Sequence, residues 1–299
     1  RGDFFADDFS TAMILSCLMV TAYILFCARF VTRPCKYFQL NARFFDRRVG
    51  VFSKVGIDEL IPAEWQLAQF VDDGVRQPRS YPVFVKPEWS QNARGVCRVD
   101  DAAALRRIRV NIDAAHAAKS AGAATVAYLI QEAATEQSEY EIFFIRAHDD
   151  PRRYAVLTVT EVRNAREPNP VNSIYNPNTR YVEITDSFSN SQLEQLWNIV
   201  QRIGDFAISR VSVRADSADD LLRGQLHVIE VNLFLPMPIN LLDARYSKAT
   251  VFATAIAYMR RLALATKHRP RDSESKPVFI KSMLYNRRSR LLNRLRARL

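Results

Sequence analysis

The longest apolar stretch of the chain lies near its start. Phe9–Ala28 is a run of 20 residues without a charged side chain, with aspartates before it and arginines and a lysine after it. A helix of about 20 apolar residues can cross the hydrocarbon core of a bilayer, and the basic residues that follow it would lie on the cytoplasmic side. The pattern predicts an apolar helix within residues 1–36 that anchors the rest of the chain at the cytoplasmic face of a membrane.

Hydroxyl-bearing residues within this run leave a second interpretation open. They make the segment less apolar, which favours a buried helix or one that lies on the membrane surface. A cleaved signal peptide fits less well, because its basic residues should precede the apolar segment. The interrupting residues are Ser10, Thr11, Ser16 and Thr21.

Beyond residue 80, short apolar runs predict strands and longer amphipathic segments predict helices. Tyr140–Arg146 and Tyr154–Val162 are rich in aromatic and β-branched residues, as is typical of neighbouring antiparallel strands. Ser191–Ile203 has apolar residues along one helical face, and Tyr246–Ala265 predicts a closing helix. This mixture indicates an α+β fold. Further strands are predicted at Tyr81–Lys86, Val96–Val99, Val126–Gln131, Phe206–Arg214 and Leu226–Val231, and a further helix at Asp101–Ala118.

The net charge of +10 is concentrated at the C-terminal end. Arg287–Leu299 holds six arginines and no acid, which leaves +4 for the remainder of the chain. The high pI therefore does not indicate a nucleic-acid partner, and no zinc-knuckle, helix-turn-helix or aromatic RNA-binding motif is present. Residues 266–299 read as a linker and a basic amphipathic tail that would be attracted to an anionic membrane surface. A solvated charged tail is the alternative.

The cysteines give no sign of a metal site. There is no CxxC pair and no histidine at metal-ligand spacing. Reduced thiols in a cytosolic compartment are the simplest interpretation. The four residues are Cys17, Cys27, Cys35 and Cys97.

A carboxylate and an amide stand two residues apart at the end of a late predicted strand. Glu230 and Asn232 close the run from Leu226 and precede a proline-rich stretch. Residues two apart in a strand point to the same face, so their oxygen atoms project together. Mg²⁺ takes oxygen ligands and shares them with substrate phosphates. Such a pair is by itself more often solvated, and the motifs upstream favour the metal interpretation.

Five motifs occur in an order known from one enzyme superfamily. They are VFVKP at 83–87, IQEAATEQSEYEI at 130–142, YNPNTRY at 175–181, RVSVRAD at 210–216 and VIEVN at 228–232. With them, the chain from Phe52 to Leu264 resembles the ATP-grasp superfamily, in particular the D-alanine–D-alanine ligase-like carboxylate–amine ligases.

The resemblance implies an ATP-grasp fold in which two α+β subdomains, residues 37–130 and 131–265, grip Mg·ATP between them. It implies a ligase that uses ATP and Mg²⁺ to activate a substrate carboxylate as an acyl phosphate for attack by an amine. The substrates would be small-molecule or peptide carboxylates and amines. These ligases usually carry a preceding substrate domain, and here the apolar helix stands in its place.

For the phosphates, the resemblance assigns two lysines and a loop. Lys86 would bind the α- and β-phosphates, because ammonium–phosphate hydrogen bonds are strong, and Lys54 is a candidate for a second phosphate lysine. The loop Glu88–Arg94 would fold over them, with Ser90 and Gly95 as contacts. It has fewer glycines than the family's loops, so fewer close backbone approaches are available.

For the nucleoside, the resemblance assigns the adenine to a hinge and the ribose to a glutamate. Glu141 matches the acid that takes the ribose hydroxyls, with Glu139 as the less favoured alternative. The hinge residues are Gln131, Glu132, Ala133 and Ala134.

For catalysis, the resemblance implies two arginines and a metal shell. Arg210 would stabilise the acyl phosphate and the tetrahedral state, a type of electrostatic stabilisation that often dominates catalysis. Arg180 stands where the family carries a cation for the γ-phosphate. The metal ligands would be Glu230, Asn232 and the residue at Ser212.

Ser212 is the main departure from the family, whose RxD motif has an aspartate there. A hydroxyl removes one negative charge from the Mg²⁺ shell. We expect Asp216 to compensate in part if it shares a strand face with Ser212.

Two other functions remain open at this stage. Ser212 and the glycine-poor loop favour a non-catalytic ATP-binding module at a membrane. A lipid-surface or transmembrane scaffold with a vestigial fold is a further alternative, and it predicts no affinity for ATP.

Overall fold

The computed structural model describes residues 3–45, 52–88, 95–117, 127–164, 166, 170–174 and 176–269, with side chains from residue 13 onward except in 114–117. The loop residue Ser90 and the basic tail beyond 269 lie outside the described residues.

The described part of the chain forms six α-helices and nine β-strands, arranged with two antiparallel sheets. The predicted mixture of helices and antiparallel strands is confirmed. The helices are α1 (Asp3–Arg29), α2 (Lys54–Asp58), α3 (Ala102–Ala117), α4 (Asn190–Val200), α5 (Ala218–Leu222) and α6 (Lys248–Lys267). The strands are β1 (Gln69–Val71), β2 (Val83–Pro87), β3 (Cys97–Val99), β4 (Tyr128–Glu132), β5 (Ser138–Arg146), β6 (Tyr154–Arg163), β7 (Arg180–Glu183), β8 (Ile208–Ala215) and β9 (His227–Asn232).

The first sheet has four strands in the order β1-β4-β2-β3. Its core forms where Val83, Val85 and Ile130 pack with Leu105 of α3. Lys86 follows these valines at the end of β2, beside Leu129 of β4. Strand β4 runs through Glu132, so its last two residues belong to the predicted hinge.

The second sheet has five strands in the order β7-β6-β5-β8-β9 and is covered on both faces. On one face Tyr140, Ile142 and Phe144 of β5 pack with α4 and α5. On the other face Phe143 and Ile145 pack with α1 and α6. This double burial explains why the sequence of β5 reads as an almost continuous apolar run.

Helix α4 is fixed against the second sheet by its sequence. Ser189 and Gln192 form a capping box at its N-terminus, which satisfies backbone N–H groups that have no partner within the helix. Leu196, Trp197 and Val200 are buried on its inner face. The indole of Trp197 meets the ring of Phe144 edge-on at 5.2 Å.

Helix α1 packs against α6. Its inner residues Ala22, Tyr23 and Cys27 are buried, and the hydroxyl of Tyr23 lies 2.9 Å from Thr266 Oγ1. Among the described residues, no helix has both the length and the apolar character required to cross a membrane.

The predicted strands and helices are present with shifted ends. Strands β1 and β7 were not predicted, because each is short and carries no sustained alternation. The aspartate-rich connection between β8 and β9 contains helix α5. Asp216 does not share a strand face with Ser212: β8 ends at Ala215, and Asp216 is exposed and accepts a hydrogen bond from the N–H of Gln137.

Candidate active site

The two sheets meet at a cavity of about 590 Å³, a size usual for small-molecule sites. Lys86 comes from the first sheet. Its Nζ donates to Gln131 Oε1 at 3.0 Å and to the carbonyl oxygen of Ile229 in β9 at 3.5 Å. The lysine of one sheet therefore reaches the strand of the other that carries Glu230 and Asn232, and these three side chains line the cavity.

The floor of the cavity is formed by residues in register on three neighbouring strands. Glu141 of β5 lies opposite Ser212 of β8, and Ser212 lies opposite Glu230 of β9. One row further along, Arg210 lies opposite Asn232. Side chains in such rows are direct neighbours, so the floor presents carboxylates, a hydroxyl, an amide and a guanidinium to one space.

An irregularity in β9 determines the direction in which Glu230 points. The register between β8 and β9 shifts between Ser212 and Val213, so that Val213 pairs with Val228 while Ser212 pairs with Glu230. Val228 packs into the core below the sheet, and Glu230 faces the cavity. In a regular strand, residues two apart such as Val228 and Glu230 would point to the same face. The bulge places them on opposite faces, as bulges beside functional sites often do.

Two lysines neutralise Glu230. Lys54, the first residue of α2, lies 3.6 Å from Glu230 Oε1, and it also donates to the carbonyl oxygen of Pro87 at 3.4 Å. Burial by itself raises the pKa of Glu230, but Lys54 and Lys86 outweigh it and hold that pKa below its usual value. Burial, and then the charge of Lys54, lower the pKa of Lys86 to about 8.

Glu141 is buried between an arginine and the hydroxyl of Ser212. Ser212 Oγ donates to Glu141 Oε2 at 2.9 Å, and Arg210 Nε lies 3.1 Å from the same oxygen. That approach makes an ion pair, although the Nε–H is not aligned to donate a hydrogen bond and has no such partner in the described part of the chain. Burial raises the pKa of Glu141, and Arg210 opposes that rise.

A second buried acid–arginine pair lies nearer the hinge. Arg214 is 3.3 Å from Glu139 Oε2, and Asn172 donates to the same oxygen at 2.8 Å. Burial raises the pKa of Glu139 to about 7, with Arg214 acting against it. Arg214 and Asn172 were not predicted. The alternation of Arg210, Ser212 and Arg214 with valines is the signal that places Arg214 on this face.

The predicted hinge lies along the edge of the cavity. Gln131, Glu132 and Ala134 line it. The N–H of Glu132 is bonded to the carbonyl of Ala68, and the N–H of Ala133 to the carbonyl of Pro82. Ala133 is not among the lining residues, and no described residue accepts a hydrogen bond from Ala134.

Gly95 and Arg180 are placed differently from the other predicted residues, and neither is among the described residues that line the cavity. Gly95 has φ +75°, and a Cβ there would lie 3.0 Å from Pro87 Cγ, so glycine is required for the backbone at that point. The guanidinium of Arg180 is exposed and donates to the carbonyl oxygens of Pro177 and Thr179 at 2.7 and 2.9 Å. The structure does not bring Arg180 to Lys54 and Lys86.

The end of the cavity beyond β9 is apolar and was not assigned in detail from the sequence. Leu235 adopts a left-handed backbone conformation with φ +50°, which is costly for a leucine. Met13 and Ser16 of α1 also line the cavity. The other apolar residues here are Phe234, Pro236, Met237 and Ile239.

The described residues contain no group of three or more His, Cys, Asp and Glu side chains placed to hold a metal ion. The floor instead offers two carboxylates, an amide and a hydroxyl. This oxygen-only set suits a hard cation that shares its coordination with substrate phosphates and water.

No protein-family model matches the chain, and no curated protein matches it. Among solved structures, D-alanine–D-alanine ligase from Bacillus anthracis complexed with ATP is similar at 15% identity and a TM-score of 0.46 over 73% of this chain. An L-amino acid ligase from Bacillus licheniformis is similar at 15% identity, with a TM-score of 0.44 over 70% of this chain. The VanG D-Ala:D-Ser ligase from Enterococcus faecalis is similar at 12% identity, with a TM-score of 0.44 over 69% of this chain.

These matches include ligases of the group that the five sequence motifs resemble. The chain spans 66%, 47% and 61% of the three solved chains, respectively.

Proposed function

We propose that this chain is an ATP-grasp ligase that binds Mg·ATP between its two sheets and activates a carboxylate for attack by an amine. One observation carries the proposal: Lys86 of one sheet meets β9 of the other beside Glu230 and Asn232. A buried ammonium facing two oxygen ligands suits a triphosphate with its metal.

The cations of the cavity would bind the phosphates. Lys86 is held by Gln131 and Ile229, so little conformational entropy is lost when it binds a phosphate. Lys54 is paired with Glu230, and this contact keeps its ammonium at the same edge of the cavity. At the hinge, the N–H of Ala134 would donate a hydrogen bond to adenine.

The oxygen donors Glu230, Asn232 and Ser212 fit Mg²⁺. The bound ion would neutralise negative charge on the transferring phosphoryl group. Arg210 lies in the neighbouring row and holds a buried Nε–H without a hydrogen-bond acceptor among the described residues. This guanidinium is therefore placed to stabilise negative charge that develops on the substrate.

The apolar end of the cavity supports a substrate that carries an apolar group close to its reacting carboxylate or amine. Met237, Ile239 and Met13 would contact that group, whereas a charged group there would lose its hydration. We expect a carboxylate with an apolar side chain to be used better than one with an acidic side chain.

The test is ADP release from ATP in the presence of pooled carboxylates and amines. We expect wild type to release ADP only when both pools are present, and Glu230→Gln to lose at least about 100-fold in rate. Glu161→Gln is the matched control, because this glutamate of β6 pairs with Tyr140 on the opposite face of the sheet. Equal rates for wild type and Glu230→Gln would contradict the role of Glu230 as a metal ligand.

A non-catalytic ATP-binding module is the second candidate. It is favoured by Ser212, which lacks the charge of an aspartate, and by the position of Arg180 outside the cavity. Calorimetric binding of Mg·ATP without ADP release across the pooled substrates would support this candidate over the ligase.

Membrane association is a separate proposal. The inner face of α1 packs on α6, whereas its outer face exposes Ile14 and Leu25 at 67% and 65% of their surfaces. Such a helix can lie in the interface of an anionic membrane with its apolar side in the acyl region. The catalytic domain would then be held at the cytoplasmic face.

A further inference from the structure

We propose that Glu141 is a ligand of the Mg²⁺ ion, completing the shell formed by Ser212, Glu230 and Asn232. This inference rests on the proposed function, because it takes the cavity to bind a metal–nucleotide complex. It differs from the ribose role that the sequence motifs assign to Glu141.

The sheet register carries the inference. Glu141, Ser212 and Glu230 occupy one row across β5, β8 and β9. Neighbouring strands lie about 5 Å apart, so two glutamates that flank a serine can turn their carboxylates toward a point above the hydroxyl. Mg²⁺ holds its oxygens at about 2.1 Å, which suits three donors converging from one row.

The partners of Glu141 leave one oxygen for a ligand. Ser212 and Arg210 both contact Oε2. No described residue donates to Oε1, although the residue is only 9% exposed and lines the cavity. A carboxylate of this kind is oriented by its neighbours and has a free oxygen that faces the site.

The position of Glu141 along β5 argues against the ribose. The hinge directly precedes β5, and Glu139 is the first acid within that strand. Glu141 lies two residues further on, about 6.6 Å along the strand, in the row of Glu230 rather than beside the hinge. The nucleoside end of the cavity is therefore nearer Glu139, and the metal end nearer Glu141.

Metal dependence of nucleotide binding tests this without catalysis. The affinity of the protein for β,γ-imido-ATP is measured by calorimetry with saturating Mn²⁺ and again with EDTA, and the electron paramagnetic resonance spectrum of the bound Mn²⁺ is recorded. In wild type we expect Mn²⁺ to tighten binding. In Glu141→Gln that gain should fall by about 10-fold or more, with the affinity in EDTA changed less than about twofold.

A variant in which the carboxylate is moved to a neighbouring position distinguishes the loss of a metal ligand from a folding defect. Because Ser212 is the direct neighbour of Glu141, Glu141→Gln/Ser212→Asp returns a carboxylate to the same row and should regain most of the Mn²⁺ effect. Glu161→Gln, on the other face of the sheet, should behave as wild type. Thermal unfolding of each variant checks that the fold is retained.

The outcomes distinguish the two levels of the proposal. If wild type binds no nucleotide with or without Mn²⁺, the proposed function fails and the inference with it. If wild type responds to Mn²⁺ and Glu141→Gln responds equally, the inference alone is overturned. Glu141→Gln could instead keep the Mn²⁺ effect and lose the discrimination between ATP and 2′-deoxy-ATP. That result would show that Glu141 binds the ribose and not the metal.

Discussion

Lys86 Nζ lies 3.5 Å from the carbonyl oxygen of Ile229, the residue that precedes Glu230 in β9. The contact joins the end of β2 in the four-stranded sheet to the last strand of the five-stranded sheet. Gln131 accepts a hydrogen bond from the same ammonium at 3.0 Å, so two contacts fix its position. The following predictions depend on this arrangement and on the packing that supports it.

Affinity for ATP should fall as the pH rises through about 8, the pKa of Lys86 in the folded protein. Burial and the charge of Lys54 lower this pKa, so the Lys86 side chain is charged below pH 8 and neutral above it. If the charged form alone binds, affinity falls roughly tenfold between pH 7 and pH 9. Calorimetry across this range is the measurement.

Lys86→Arg is the control for this pH dependence. Arginine stays charged throughout the range, so the variant should show a flat profile apart from the ionisation of ATP itself. A decline of equal size in wild type and Lys86→Arg would contradict the assignment to Lys86.

Arg210 and Arg180 should differ in their contributions to turnover. Arg210 lines the cavity beside Glu141, and its removal in Arg210→Ala should lower kcat by roughly 100-fold or more. Arg180 is bonded to carbonyls of its own loop, so Arg180→Ala should change kcat less than about threefold. The measurement is the rate of ADP release at saturating ATP. A larger loss for Arg180→Ala would show that this loop moves into the cavity during turnover.

Gly204→Ala should destabilise the fold. A Cβ at this position would clash with the ring of Phe206, and Phe206 is fully buried with its ring 4.7 Å from that of Phe44. Overpacking of this kind costs about 1–3 kcal/mol, which thermal or urea unfolding would measure. Gly56→Ala is the matched control, because its Cβ makes an ordinary contact of 3.7 Å with Ser53. In α2 that change should stabilise by up to about 1 kcal/mol.

The outer face of α1 should determine membrane binding. Ile14→Glu/Leu25→Glu places two charges on the exposed apolar face and leaves the residues that pack on α6 unchanged. We expect its co-sedimentation with anionic lipid vesicles to fall several-fold relative to wild type. Val75→Glu is the control, because Val75 is also exposed, at 79%, but lies near β1. Equal sedimentation of the double variant and wild type would contradict the role of α1.

The sequence by itself determined the elements and several members of the site. Aromatic and β-branched residues marked the strands β5, β6, β8 and β9, because local propensity and burial favour the same structure there. The order of motifs drew attention to Lys86, which is followed by a proline at a strand end. Glu230 and Asn232 were found from their spacing at the end of a strand, and the motifs favoured their interpretation as metal ligands. These patterns depend only on residues that are close together in the sequence. They can therefore be recognised without knowing which residues pack against them.

The tertiary structure decided which side chains meet. The irregularity in β9 depends on its pairing with β8. It turns Glu230 toward the cavity and Val228 into the core, and no residue in VIEVN predicts it. The row that sets Glu141 beside Ser212 depends on register between strands about 70 residues apart in the chain. Register and bulges follow from non-local packing of both sheet faces. For the same reason, two residues lie away from the positions expected from the sequence. Asp216 follows the end of β8, and Arg180 is bonded to its own loop.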